Sequence, residues 1–221
     1  MDKKRQINFN LNNFLLATSF ALDFVQKESC QVSLNHHKRV AFMALNLALK
    51  FNLESKQMSD ICSYSLLYEF DNEDLKKFPF LDSKNVLEDS LIKEIVLLSS
   101  EIDKNFSLCN TYVENRKSIL EFVEKSKDKF SSEVIESFLQ LSVSINFWLD
   151  LENENDILMF IFANLHDFSF PLDFENLLEV AEIFSKLENP NSKLVKFSEK
   201  MCDFYNFDHE DKYTFLIASS F

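Results

Sequence analysis

The chain has 221 residues, no glycine and a formal net charge of −13. The lack of glycine excludes a phosphate-cradling P-loop or a dinucleotide fingerprint, which need its backbone freedom, and makes tight hairpins scarce. The acidity argues against a nucleic-acid partner, and Lys3–Lys4–Arg5 is too short a basic run to reverse it.

Apolar residues make up 46% of the chain, enough for a sizeable core, and 25 of the residues are Phe. They recur at helical spacing. Residues 11–27 carry a stripe of Phe14, Ala17, Phe20, Ala21 and Phe24, which predicts a helix. Residues 34–50 form the next, with Val40, Met43, Ala44, Leu47 and Ala48 on one face, and residues 56–69 a third, with Asn52 and Ser55 bracketing the turn between them. The acidic stretch 70–85, with Pro79, reads as a loop or short helical turns. Helices follow at 86–104 and 111–127. Ser131 is placed to cap a further one that carries Val134, Phe138, Leu141, Ile145 and Trp148 in a single stripe. Asp150–Asp156 is a charged break. Residues 157–165, 172–187, 192–206 and 211–220 complete an all-α chain in which no stretch demands a strand.

No apolar run is long enough to span a bilayer, and residues 1–30 do not read as a targeting segment. The expected setting is therefore cytoplasmic, with no membrane partner. Cys30, Cys62, Cys109 and Cys202 match no metal or redox spacing. Cys62 and Cys202 fall in helical stripes and are expected in the core.

Chemistry has few carriers. His36 and His37 open the second helix, and Tyr68–Glu69 closes the third. Two antiparallel helices bring these ends together in a polar cluster of His36, His37, Tyr68, Glu69 and Asp71. Imidazole and carboxylate suit a borderline metal, whereas the plainer reading is a wet helix start beside an acidic loop. His166–Asp167 lacks further ligands at helical offsets, and His209 sits in an exposed acidic turn.

The stretch Asn35–His36–His37–Lys38–Arg39–Val40–Ala41, followed after a helix by Ser63–Tyr64–Ser65–Leu66–Leu67–Tyr68–Glu69–Phe70, resembles the opening of an HD-GYP domain. That family consists of all-helical, metal-dependent hydrolases of cyclic di-GMP. The resemblance implies an HD-domain-like helical bundle with additional C-terminal helices. It sets His36 at the family's first histidine, with Tyr68 and Glu69 in place of its His-Asp pair. The later His-x-x-His-His-Glu and Gly-Tyr-Pro signatures are absent. A second echo begins at Asn191–Ser192–Lys193–Leu194–Val195, where Asn191 takes the histidine position, and ends in the apolar run Phe215–Phe221. The resemblance therefore implies a degenerate unit at 1–150 and an extension at 151–221 like the linker and first helices of a second domain.

With the metal ligands replaced, the expectation is an inactive regulatory or interaction module without a metal or other cofactor. The partner is another protein or a second copy, reached through the C-terminal helices, which must bury Val195, Phe197, Phe204, Tyr213, Leu216 and Ile217. A metal-dependent phosphodiesterase acting on cyclic di-GMP or a related nucleotide is the alternative. A vestigial nucleotide pocket would be lined by His36, His37, Lys38, Arg39 and Tyr68, beside Glu69 and Asp71. Lys38 and Arg39 would meet phosphate there, but the acids of 69–74 oppose it, and Arg39, next to the core residue Val40, is expected to point sideways or outward.

Overall fold

The computed structural model describes residues 6–15, 17–19, 35–106, 112–165, 169–188 and 193–220. After a strand β1 (Gln6–Asn10) and helical turns at 11–15 and 17–19 come helices α1 (His36–Ala48), α2 (Ser55–Leu67), α3 (Asn72–Leu75), α4 (Ser83–Glu88), α5 (Ser90–Phe106) and α6 (Tyr112–Lys125). The chain continues through α7 (Ser132–Leu141), α8 (Ile145–Glu152), α9 (Glu154–Asn164), strand β2 (Ser169–Asp173), α10 (Phe174–Glu188), α11 (Leu194–Phe204) and α12 (His209–Ala218). Among the described residues the fold is all-α apart from one two-stranded sheet.

Helix α1 is the axis of the molecule. All of its residues except Asn46 are buried, because α2, α5, α7 and α9 surround it. A helix apolar all round would be the ordinary occupant of such a place. This one starts His36–His37–Lys38–Arg39, so four polar side chains enter the core and must find partners there. A turn through Asn52 and a reciprocal cap, in which the Glu54 N–H donates to Gln57 Oε1 at 3.1 Å, fold α2 back along α1. Among the described residues the left-handed positions are Asn35, Asn52 and Asn206. In a chain without glycine, asparagine takes the conformation that other side chains resist.

The apolar core runs from Leu11 through Trp148 to Phe184. Phe184 of α10 meets the rings of Phe14, Phe70 and Phe78 at 5.6–6.1 Å. Cys62 and Cys202 are buried, as their stripes require, and burial pushes the Cys62 thiol up to about 12.

Two expectations need correction. The stripe from Val134 to Trp148 is not one helix. It breaks at Ser142–Ser144, where the Ser142 carbonyl accepts from Trp148 Nε1 at 2.8 Å and Arg116 Nη2 at 2.9 Å. The indole therefore turns into the core while Ile145 faces outward, 61% exposed. There is also a sheet: β1 pairs antiparallel with β2, Gln6 opposite Asp173 and Asn10 opposite Ser169. The helix expected from residue 172 instead starts at Phe174. Of the helix expected at 11–27, residues 20–27 lie outside the described residues, as do Cys30, Cys109, His166–Asp167 and Asn191. Among the described residues, no helix is long and apolar enough to cross a membrane.

Candidate functional site

The α1–α2 hairpin brings the start of one helix to the end of the other, and α5 lies across both. His36 is the centre of what results. Its Nδ1 lies 2.5 Å from Asp103 Oδ2, and its Nε2 lies 2.6 Å from the Tyr68 hydroxyl. Asp103 is a carboxylate and only accepts, so Nδ1 carries the proton. The Tyr68 hydroxyl in turn accepts from Ser100 Oγ at 2.7 Å. Ser100, Asp103 and Lys104 come from one face of α5, at helical offsets of three and four.

Arg39 closes the other side of Asp103. Its Nε donates to Oδ1 at 2.5 Å and its Nη2 to Oδ2 at 2.9 Å, a two-pronged grip in the buried interior. Burial alone would raise the Asp103 carboxyl, but the hydrogen bonds from His36 and Arg39 hold it below the usual carboxylate range. Arg39 thus points inward, not sideways or out, because a buried carboxylate from α5 attracts it across the helix. Lys38 is also buried, and its ammonium donates to Asn35 Oδ1 and Glu154 Oε1, both at 2.8 Å. Both cations proposed to meet phosphate are held by carboxylates of the chain.

His36 and His37 are fully buried, so the wet helix start is not what forms. His37 Nε2 lies 3.7 Å from Glu69 Oε2. Burial, then the neighbouring His36, depresses His37 to about 3, so it is neutral at physiological pH. Glu69, at the mouth of the cluster, takes the Lys104 ammonium at 2.9 Å. Burial favours its neutral form, yet the Lys104 hydrogen bond and the nearby His37 leave its pKa lowered. The same ammonium sits 5.1 Å over the Tyr68 ring. Burial pushes the Tyr68 phenol up to about 12, so it stays protonated. Asp71 serves another purpose: its carboxylate accepts from the Glu73 and Asp74 amides at 2.9 and 2.8 Å and caps α3.

This donor set does not fit a divalent cation. His36 has a protein partner at each ring nitrogen, Tyr68 offers a phenol in place of an imidazole, and the Glu69 carboxylate already holds an ammonium. Among the described residues, no group of three or more His, Cys, Asp and Glu side chains is placed to hold a metal ion.

Sequence reasoning found the α1 and α2 members and missed Ser100, Asp103 and Lys104. A signal was present. Ile92, Ile95, Val96 and Ser99 mark the buried face of α5, and Asp103 continues that face four residues on. An acid in an apolar stripe requires a buried cation or imidazole opposite.

No family model and no curated protein matches this sequence. Among solved structures the chain is similar to the crystal structure of a cyclic GMP-AMP specific phosphodiesterase from V. cholerae. The TM-score is 0.53 at 12% sequence identity, covering 97% of this chain and 70% of that one. At that identity the likeness establishes the fold, which is all-α and HD-domain-like.

Proposed function

We propose that this protein is a catalytically inactive, HD-GYP-like module of bacterial signalling that acts by binding a partner protein or a second copy of itself. One observation carries the reading. His36, the residue aligned with the family's first metal ligand, is held at 2.5 Å by Asp103 and at 2.6 Å by the Tyr68 hydroxyl. With Nδ1–H given to Asp103, the remaining lone pair, on Nε2, is taken up by the Tyr68 hydroxyl, and without metal-activated water the attack on a phosphodiester loses its main aid. Lys38 and Arg39, occupied by Glu154 and Asp103, support the same reading against a nucleotide pocket.

A cyclic-dinucleotide phosphodiesterase is the second reading, favoured by the fold shared with the V. cholerae enzyme. Isothermal titration of the folded chain with cyclic di-GMP and with cyclic GMP-AMP separates the two. The module reading expects no heat of binding. Saturable micromolar binding weakened by Tyr68→Ala, followed by product formation with added manganese, would establish the second.

A further inference from the structure

Helix α11 buries the wrong half of its apolar surface for a helix at rest. Its Ser198 and Cys202 are buried, and it packs on α12, whereas Phe197 is 59% exposed and Phe204 78% exposed. Leu194, Phe197, Met201 and Phe204 recur at steps of three, four and three, which places them in one stripe. That stripe lies roughly 110° round the helix from the buried Ser198–Cys202 line. Lys193 and Lys200 border it, four residues before and three after Phe197. The helix's acids, Glu199 and Asp203, lie on the far side, and Asp203 is held there by Lys212 at 2.6 Å. In a chain of net charge −13 this is an apolar strip with a basic border.

The opposite surface exists on the same chain. The break after α7 leaves Ile145 and Leu149 exposed on α8, and on α9 Met159 is 70% exposed and Phe162 is exposed as well. Asn153 alone joins the two helices. Their border is acidic: Glu152 continues the Ile145–Leu149 line, and Asp156 precedes Met159 by three residues.

We propose that the lysine-bordered stripe of α11 docks on the exposed, acid-bordered apolar side chains of α8 and α9 of a second copy of this chain. Each copy carries both halves, and the assembly proposed is the twofold one, in which the contact is made twice and closes a dimer. Apolar area supplies the attraction, and the opposed borders fix the register and exclude the stripe-on-stripe arrangement. This names a partner for the interaction module proposed above and rests on that reading.

The test is sedimentation equilibrium of the full chain and of two surface variants. Lys193→Glu/Lys200→Glu makes both faces acidic, and Glu152→Lys/Asp156→Lys makes both basic. The wild type is expected to self-associate, and each variant alone to dissociate at least about tenfold more readily. An equimolar mixture of the two variants is expected to recover wild-type affinity, because both contacts then pair opposite charges, and this recovery also shows that both variants are folded. A wild type that stays monomeric overturns the proposal, including one that instead floats with anionic phospholipid vesicles. So does association that Glu152→Lys/Asp156→Lys leaves unchanged. Turnover of a cyclic dinucleotide by the associated protein would end the inactive reading and leave the contact standing, whereas a monomer without turnover would do the reverse.

Discussion

His36 and Asp103 stand 67 positions apart in the sequence and meet at 2.5 Å, both side chains fully out of solvent. With Arg39 on the other side of the carboxylate they form a buried three-group unit. Removing one member strands the charge of another, so Asp103→Ala is expected to lose about 3–5 kcal/mol of stability in urea unfolding. Replacing Arg39 and Asp103 together with Met and Leu is expected to lose much less, because no charge is left stranded. Equal losses for the single and double changes would show that the pair is not coupled.

The Tyr68 hydroxyl joins His36 to Ser100. Tyr68→Phe keeps the ring and removes the joint, leaving a buried ring nitrogen and a serine hydroxyl without it. Thermal or urea denaturation should show a loss of about 1–3 kcal/mol. A neutral result would mean that solvent reaches the gap.

Stability should begin to fall well above the carboxylate range as pH drops. His37 takes a proton near pH 6.5 when unfolded but only at about 3 when folded, because of burial and then His36. Lys104 adds to that depression, while Glu69 and Asp103 oppose it. Between these values the unfolded chain binds more protons, so stability is lost as pH falls through the window. Asp103 and Glu69, whose folded pKa values are lowered, contribute stability above their unfolded pKa and lose it as pH falls through the folded value, which is a later stage. The urea midpoint should therefore drop between pH 7 and pH 5 in the wild type and stay nearly flat in His37→Gln. A flat wild-type profile would contradict this.

Phe184 fixes α10 to the first half of the chain through Phe14, Phe70 and Phe78. Phe184→Ala should cost about 3–5 kcal/mol in a single cooperative transition. A second, separate transition would show that α10 folds apart from the core.

The helices around α1 were legible because their stripes are local. Val40, Met43, Ala44 and Leu47 mark one face of α1 whatever packs on it. The strands were not, because β1 finds its partner near residue 170 and no local period announces the pairing. The break at Ser142 was hidden for a related reason. The apolar period continues through it, and only Trp148 and Arg116, by taking the Ser142 carbonyl, make a helix end there stable. In the site, His36 and Tyr68 could be paired from helix order alone. The spacing placed Asp103 on the buried face of α5, but its pairing with His36 depended on how α5 crosses that hairpin, which is tertiary.

A His36 cluster closed on itself, as proposed above, leaves no place for a metal ion. The most direct measurement is elemental analysis of the full chain after incubation with manganese, iron or zinc and desalting, with a parallel assay on cyclic di-GMP and cyclic GMP-AMP. The expected result is far less than one metal ion per chain and no hydrolysis above the protein-free control. Stoichiometric metal, with turnover abolished by His36→Ala, would contradict it.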